Sequence, residues 1–272
     1  MAQTLLNDMM TRGPVGFDFS NCTRNLALDS LGVKPPKLHS TGTTIVAVIY
    51  QDGVVVGADT RATGGNIIMD KEILKVRKLT DTIYACGAGT AADLDQVCKM
   101  LSAQLRLLEL NTGKKVRVAT ALRRAKLYLF KYMGYIGAYL LIGGVDSTGP
   151  HLYQCQASGK TMTRAYASSG SGGYAAGAVL ERNFKFGMTL EEACELVQLA
   201  LRAGMHGDNA SGNMLNYTII NRDGAKLMGP IVPEFCMKPE PNDLDYRFKS
   251  GSTKVLKHKE IKYDVIESMD LS

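Results

Sequence analysis

The segment from Thr44 to Asp59 constrains the fold more strongly than any other part of this sequence. Two runs rich in β-branched residues, at 44–50 and 54–59, are separated by Gln51-Asp52-Gly53. An Asp-Gly pair between two such runs is one of the strongest sequence signals for a β-hairpin. The sequence therefore predicts antiparallel strands joined directly, since parallel strands need a long crossover connection.

Further strands and helices follow in alternating groups. Strands are predicted around 66–69, 73–79 and 82–86, then over 138–144, 151–157 and 161–168, with a closing hairpin of 217–220 and 225–228. Apolar residues at helical spacing predict helices over 91–108 and 118–132, and a second pair begins near Gly172 and at the capping box Thr189-Leu190-Glu191-Glu192. The predicted fold class is α+β: a four-layer α-β-β-α sandwich, with two antiparallel sheets between helical pairs.

The two ends of the chain differ in texture from this body. Residues 1–42 contain Pro14, Pro35 and Pro36 and show no sustained periodicity, which predicts an extended leader. The chain from 230 onwards is Pro-rich and charged, which predicts an extended tail. We therefore expect a leader at 1–42, a globular body at 43–229 and a tail at 230–272. The start lacks a basic segment followed by an apolar run, and no stretch approaches the roughly 20 apolar residues of a membrane span, so a soluble intracellular protein is expected.

Composition weakens several functional classes. The 272 residues are 45% hydrophobic and 21% charged, an ordinary globular balance. The net charge of +6 is not gathered into a basic patch, so nucleic-acid binding is not indicated. The six Cys and four His show no CxxC, HExxH or comparable spacing. We expect no metal, no cofactor, no nucleic acid and no membrane partner.

Two glycine-rich segments pass from a predicted strand to a predicted helix. Gly87–Ala92 and Gly170–Ala175 loosely match the GxGxx(G/A) pattern of dinucleotide-binding folds. The acids about 20 residues past the second segment, Glu191 and Glu192, cap a helix instead of ending a strand, which argues against a Rossmann site. Two interpretations remain open. In the first, the segments are tight turns that only glycine fits; in the second, their backbone N–H groups hold an anion or oxyanion.

Gly42-Thr43-Thr44 lies at the border between leader and body. If the leader is removed there, Thr43 begins the chain with both a hydroxyl and a free α-amine, whose pKa near ~8 suits a general base. Thr with its own N-terminal amine is an established nucleophile and base unit. Gly42 would give the hydroxyl access to the preceding carbonyl. The simpler interpretation, a polar start to a strand, stays open on the pattern alone.

A set of motifs recurring in order along nearly the whole chain resembles the proteasome β subunits, and within them the trypsin-like type-2 catalytic class. The matching segments are Gly42-Thr43-Thr44-Ile45, Gly57–Thr63, Asp70-Lys71 with Lys75, Gly87–Asp93, Gly144–Asp146, Gly170–Gly172, Asp208 with Ser211-Gly212, Gly16–Cys22 of the leader and Gly251–Leu256 of the tail. The resemblance implies the Ntn-hydrolase sandwich, in agreement with the predicted layers.

The resemblance also implies catalytic roles. Thr43 would be the nucleophile, freed by autocatalytic cleavage of the Gly42-Thr43 bond. Lys75 would favour the deprotonated hydroxyl by its charge, and Asp59 would keep Lys75 charged and oriented. The remaining implied residues are Gly89, whose N–H would bind the oxyanion, and Ser171, Asp208 and Ser211, which would organise the α-amine. Without Thr43, Asp59 and Lys75 would be interpreted as an ordinary partly buried ion pair.

Substrate preference is predicted from the start of one helix. Ala91 and Asp95 are four residues apart and share a face, and Gly87 just before them leaves room for a pocket. An acid at the end of an open slot suits a substrate Lys or Arg before the cut. The resemblance implies the same positions, with Ala62 and Ile73 as walls. Alternatively, Asp95 is a solvated first-turn acid that the helix dipole favours.

The sequence departs from the family pattern in two places. Asp208-Asn209-Ala210-Ser211-Gly212-Asn213 stands where the family commonly has Gly-Ser-Gly-Ser after Asp-Leu, and Arg77 adds charge near Lys75. We expect Ala210 to tighten this loop beside the predicted α-amine.

The function implied is a threonine endopeptidase, made as an inactive precursor, that cleaves peptides after basic residues. It would work in the cytoplasm and nucleus, in a hetero-oligomeric core with other β subunits and an α ring, and meet regulatory particles only indirectly. The tail would reach a neighbouring subunit. Two rival classes remain: a non-catalytic or specialised structural β subunit, and a nucleotide-binding α/β protein, which would need parallel strands.

Overall fold

Two antiparallel sheets form the centre of the molecule. The computed structural model describes residues 20–33, 40–237, 251 and 254–264. The strands, numbered along the chain, are β1 (Ser40–Thr41), β2 (Ile45–Tyr50), β3 (Gly53–Asp59), β4 (Ala62–Gly64), β5 (Ile67–Asp70), β6 (Val76–Lys78), β7 (Ile83–Thr90), β8 (Ala138–Asp146), β9 (Gly149–Cys155), β10 (Thr161–Thr163), β11 (Tyr166–Ser169), β12 (Leu215–Asn221) and β13 (Gly224–Ile231). One sheet has the order β11-β2-β3-β12-β13 and the other β1-β7-β8-β9-β10, with β6 also beside β7, while β4 and β5 form a separate ribbon.

Five α-helices lie within the described ranges, and the last four of them flank the sheets. They are α1 (Ser20–Ser30), α2 (Ala91–Thr112), α3 (Val118–Lys131), α4 (Gly173–Asn183) and α5 (Leu190–Gly207), and a short 3₁₀ turn follows at Glu234–Cys236. The predicted capping box begins α5, because Thr189 accepts the Glu192 N–H and the Glu192 carboxylate accepts the Thr189 N–H. Within the described ranges, none of these helices combines the length and apolar character that crossing a bilayer requires.

Burial on both faces of the sheets produces the four layers. In β2, Ile45 and Ala47 pack into the apolar layer between the two sheets, whereas Val46 and Val48 pack against α4 and α5. The alternation follows from the two-residue period of a strand. A third apolar cluster lies between α2, α3 and the β7-β8-β9 side. The predicted α-β-β-α sandwich is therefore confirmed.

All strand pairings in the described ranges are antiparallel. The hairpin predicted around Asp52-Gly53 pairs Tyr50 with Gly53, and the hairpin around Asp223-Gly224 pairs Asn221 with Gly224. A doubly wound nucleotide-binding fold would need parallel strands with single crossover helices. This alternative is therefore excluded.

The predicted strand over 161–168 was wrong in one respect, because it is two strands that belong to different sheets. The Arg164 N–H donates to the carbonyl of Leu152 in β9, whereas the Ala165 carbonyl accepts the N–H of Ile49 in β2. Neighbouring residues thus bond to opposite sheets, and the chain crosses between them. Likewise, the strand predicted over 73–79 is confined to β6.

The leader is less extended than predicted, and regular structure continues past residue 229. Part of the leader, Ser20–Ser30, is a helix rather than an extended segment, and most of its described side chains are exposed. It lacks a buried apolar stripe, so no periodicity could indicate it. At the other end, β13 continues to Ile231 and the 3₁₀ turn follows it. The chain divides into two compact units, through Cys236 and from Met237; in the second, 254–264 contain no regular element. The remaining leader and tail predictions lie outside the described residues.

Close packing of α5 on Thr44 leads to a stability prediction. A Cβ at Gly204 would lie 2.4 Å from Thr44 Cγ2 and 3.0 Å from the Gly172 carbonyl oxygen. Gly204→Ala should therefore push the helix off the sheet and lower the free energy of unfolding by about 1–3 kcal/mol. Gly173→Ala is the matched control, because a Cβ at Gly173 would lie 3.7 Å from its nearest neighbour, the carbonyl carbon of Ser168, which is an ordinary contact distance. Urea denaturation of the full-length chain measures both variants, and equal midpoints for Gly204→Ala and Gly173→Ala would contradict the prediction.

Candidate active site

Thr43 lies buried between β1 and β2, with only 2% of its surface exposed. In the intact chain its hydroxyl donates a hydrogen bond to the carbonyl oxygen of Gly42 at 2.6 Å. The Gly42 N–H is held in turn by Thr63 Oγ1 at 3.0 Å. The hydroxyl therefore rests against the carbonyl group of the peptide bond that precedes it.

Lys75 joins this carbonyl to a buried carboxylate. Its Nζ lies 3.1 Å from the Gly42 carbonyl oxygen and 2.7 Å from Asp59 Oδ1. Asp59 ends β3 and is fully buried, while Lys75 precedes β6 in the other sheet and is 5% exposed. The pair thus connects the two sheets directly beside Thr43.

Backbone groups complete the environment of Asp59. Its oxygens also accept the N–H groups of Thr44 (2.9 Å), Arg61 (3.2 Å) and Gly212 (3.2 Å). Burial raises the pKa of Asp59, but Lys75 and the backbone donors act against that rise. Burial likewise lowers the pKa of Lys75, opposed by the charge and hydrogen bond of Asp59. Each charge in this buried site therefore depends on the other.

A second chain of hydrogen bonds reaches the nitrogen of Thr43. The Thr43 N–H donates to Ser171 Oγ at 3.1 Å, and the Ser171 hydroxyl donates to Asp208 Oδ2 at 2.6 Å. Ser211 donates to the same Asp208 oxygen at 2.7 Å. Burial acts to raise the pKa of Asp208, but the hydrogen bonds from Ser171, Ser211 and the Ala210 N–H, together with the charge of Lys75, leave that pKa below its ordinary value. The structure thus connects these three side chains, with Ser171 alone in contact with the Thr43 nitrogen.

The two glycine-rich segments lie at close backbone approaches. Gly89 has φ +122°, and a Cβ there would lie 2.2 Å from the Gly137 carbonyl oxygen. Gly170 has φ +91°, and a Cβ there would lie 2.0 Å from the Thr43 carbonyl oxygen. Both observations support turns that only glycine fits. Thr41 pairs with Gly89, so the leader lies along β7 as an added strand, and the oxyanion role of Gly89 stays a prediction.

The loop that departs from the family pattern touches the predicted cleavage site. A Cβ on Gly42 would lie 2.0 Å from Ala210 Cβ and 2.6 Å from the Ala210 carbonyl oxygen. Only a residue without a side chain fits between this loop and Thr43. Ala210 therefore constrains the leader in addition to the α-amine support predicted for the loop.

The predicted specificity residues occupy surroundings that differ from the expectation. The open slot beside Gly87 is absent, since a Cβ there would lie 2.3 Å from Leu94 Cδ2, and Leu94 fills that space. Asp95 is half-exposed but not free: Arg77 Nε lies 3.1 Å from its Oδ1 and Lys99 Nζ lies 2.8 Å from its Oδ2. The other three positions are Ala62, buried in β4; Ile73, half-buried before β6; and Ala91, exposed at the start of α2.

Arg61 and Asn213 are site residues to which the sequence assigned no role. Arg61 Nε donates to Asn213 Oδ1 at 2.7 Å, and Arg61 Nη1 donates to the Asn209 carbonyl at 2.9 Å. Asn213 adopts φ +67°, a conformation that Asn tolerates better than most residues. Arg61 therefore holds the loop that carries Asp208 and Ser211. Arg61 lies inside the Gly57–Thr63 motif, and that position is the sequence feature that could have indicated a role for it at the site.

The arrangement supports nucleophilic chemistry on an acyl carbon. A buried hydroxyl lies against a carbonyl whose oxygen also accepts a hydrogen bond from the Lys75 amine. Preorganised donors at such an oxygen stabilise the negative charge that develops during attack. Among the described residues, no group of three or more His, Cys, Asp or Glu is placed to hold a metal ion.

Comparison with known proteins gives a consistent family. A family model described as "Proteasome subunit" matches residues 39–220. The chain is 44% identical to proteasome subunit beta type-7 of Dictyostelium discoideum over 246 residues, covering 89% of this chain and 90% of that protein. It is 40% identical to proteasome subunit beta type-10 of Bos taurus over 264 residues, covering 94% and 96%. It is 41% identical to probable proteasome subunit beta type-2 of Schizosaccharomyces pombe over 256 residues, covering 94% and 95%.

The family model includes every residue of the candidate site and the sandwich up to residue 220, just before β13. The antiparallel four-layer architecture agrees with the Ntn-hydrolase fold that the resemblance implied. The chain therefore belongs to the proteasome β-subunit family.

Proposed function

We propose that this β subunit of the proteasome core particle is a threonine endopeptidase that activates itself by cleaving the Gly42-Thr43 bond and then cuts peptides after basic residues. One observation carries the proposal: the Gly42 carbonyl oxygen lies 2.6 Å from Thr43 Oγ1 and 3.1 Å from Lys75 Nζ. The nucleophile and a positively charged hydrogen-bond donor thus meet at the carbonyl group of the bond to be broken.

Self-cleavage follows from this geometry. Thr43 Oγ attacks the Gly42 carbonyl carbon and forms a new C–O bond, while Lys75 stabilises the charge on the carbonyl oxygen. The C–N bond then breaks as the nitrogen of Thr43 takes up the hydroxyl proton, leaving an ester between Gly42 and Thr43. Water hydrolyses this ester, releasing the Gly42 carboxylate and regenerating the hydroxyl beside a free α-amine. The precursor is inactive because its acylated nitrogen cannot act as a base.

The freed amine supplies the base for substrate cleavage. An α-amine has a pKa of about 8, so a substantial fraction is neutral near pH 7 and can accept the Thr43 proton. Ser171 already contacts this nitrogen in the precursor, and Asp208 orients Ser171. Thr43 Oγ then attacks the substrate carbonyl, the leaving amine takes the proton, and water hydrolyses the acyl-enzyme.

A preference for basic residues rests on Asp95. Arg77 bonds to Asp95 and also donates from Nη1 to the Lys75 carbonyl oxygen at 3.3 Å, so the Asp95 carboxylate is one side chain away from the Lys75 backbone. A carboxylate near the reacting centre attracts a substrate ammonium or guanidinium group. The pairing of Asp95 with Arg77 weakens that attraction.

Replacing the nucleophile tests the proposed function. In Thr43→Ala, no hydroxyl remains to attack Gly42, so we expect the leader to stay joined at residue 43. Hydrolysis of an Arg-containing fluorogenic peptide attributable to this subunit should fall at least about 1,000-fold. Thr43→Ser keeps a hydroxyl and should keep both cleavage and hydrolysis.

Mass determination of the subunit isolated from assembled core particles identifies its first residue. Trimming by neighbouring subunits would leave ends other than residue 43. Efficient cleavage directly before position 43 in Thr43→Ala would overturn self-cleavage. An intact leader in fully active wild-type particles would overturn the whole proposal.

Gly42→Ala tests whether the Ala210 contact controls processing. The new methyl must displace either the loop or the Gly42 carbonyl, and a shift of about 1 Å from a reactive geometry can cost on the order of 100-fold in rate. We therefore expect processing to slow by about that factor. Thr41→Ser is the control on the adjoining leader residue. A time course of precursor conversion measures both, and a Gly42→Ala rate close to that of wild type would contradict the geometry.

Asp59→Asn tests the electrostatic role of the buried pair. Asp59 raises the pKa of Lys75 against the lowering effect of burial. Its loss should lower that pKa further, so Lys75 becomes neutral at lower pH. We expect the alkaline limb of the pH profile of kcat/KM to move towards neutrality and the maximum to fall by about 100-fold.

Initial rates from about pH 6 to about pH 10 give this profile, with the Thr43→Ala rate subtracted at each pH. Asp52→Asn, an exposed acid in the β2-β3 turn, is the matched control. An unmoved alkaline limb in Asp59→Asn would show that Lys75 does not act as a cation.

A further inference from the structure

Asp95 lies between two cations supplied by its own chain. Arg77 approaches from β6 and Lys99 from the next turn of α2, each bonded to a different carboxylate oxygen. Hydrogen bonds from Lys99 and Arg77 lower the pKa of Asp95 below its ordinary value. The two cations outnumber the carboxylate, so the cluster as a whole is positively charged.

The two cations differ in how firmly they are held. The Arg77 side chain is only 17% exposed and makes a second hydrogen bond to the Lys75 carbonyl oxygen. The Lys99 side chain is 71% exposed, and its pair with Asp95 is an ordinary surface contact between residues four apart on a helix. Arg77 is therefore the firmly held partner of Asp95, and water can readily replace Lys99 as a partner of that carboxylate.

A basic substrate side chain must compete with Arg77 for the carboxylate. It either displaces Arg77, which loses its partner near a buried part of the site, or shares Asp95 and meets a second positive charge. Neutral substrate side chains face no such competition. The contact therefore reduces the advantage that Asp95 would otherwise give to Lys and Arg.

We propose that Arg77 is a specificity-determining residue that occupies Asp95 and broadens cleavage from basic towards neutral residues before the cut. This inference rests on the proposed function, since it requires Thr43-dependent hydrolysis with Asp95 facing the substrate side chain. The sequence does not indicate this role, because Arg77 and Asp95 are 18 residues apart and lie on different elements.

The test compares kcat/KM on fluorogenic peptides that differ only in having Arg, Gln or Glu before the cut. Core particles carry wild-type subunit, Arg77→Gln, or Arg77→Met, which keeps much of the aliphatic stem if the Gln variant assembles poorly. The rate of Thr43→Ala particles is subtracted to isolate this subunit. Lys78→Gln is the matched control, since it removes one positive charge from the same strand but pairs with Asp81 at 2.7 Å in solvent.

Freeing Asp95 should raise the Arg-to-Gln ratio of kcat/KM by about three- to tenfold and lower hydrolysis after Glu. Lys78→Gln should leave the ratio within about twofold. Asp95→Asn should lower the ratio much more in Arg77→Gln particles than in particles that retain Arg77. This cycle isolates the coupling between the two residues.

The outcomes separate the two proposals. If hydrolysis depends on Thr43 but both Arg77 variants leave the ratio unchanged or reduce it, the role of Arg77 is overturned and the proposed peptidase stands. Equal effects of Asp95→Asn with and without Arg77 would also overturn it. If wild-type particles show no Thr43-dependent hydrolysis of any of the peptides, the proposed function fails and the role of Arg77 fails with it.

Discussion

The buried ion pair between Asp59 and Lys75 is the contact on which the site depends. Removing either charge would leave the other buried without a partner, which typically costs several kcal/mol. Burial opposes both charges, yet three backbone N–H groups from separate segments also converge on the carboxylate. The pair is therefore sustained by the surrounding chain, and the loops that supply these donors are fixed by it in return.

The same pair couples architecture to chemistry. Asp59 ends a strand of one sheet and Lys75 precedes a strand of the other, so their contact bridges the two sheets beside Thr43. Lys75 donates to Asp59 and to the Gly42 carbonyl oxygen at the same time, so the buried carboxylate orients the amine towards that carbonyl. The sandwich thus provides the rigid support that an active site on loops requires.

Local patterns predicted the fold better than the site. The hairpin at 44–59 could be predicted because strand alternation and the Asp-Gly turn involve only neighbouring residues. The crossing of the chain from one sheet to the other at Arg164 and Ala165 depends instead on contacts with β9 and β2, which are distant in sequence. Thr43, Asp59 and Lys75 were grouped by family resemblance, since no spacing rule brings them together. The contact of Arg77 with Asp95 was not predicted because it depends on the register of β6 beside β7 and on the start of α2.

The departure at Ala210 shows how a substitution can be accommodated by a neighbour distant in sequence. Its methyl occupies space that a side chain at position 42 would need, and Gly42 leaves that space free. Arg61 meanwhile anchors the same loop through Asn213 and the Asn209 carbonyl, so the loop cannot retreat without losing these bonds. The tight fit at the proposed cleavage site is therefore shared between leader and loop. A substitution at position 42 or 210 would alter the position of the Gly42 carbonyl relative to Thr43, even though no side chain at either position takes part in the proposed reaction.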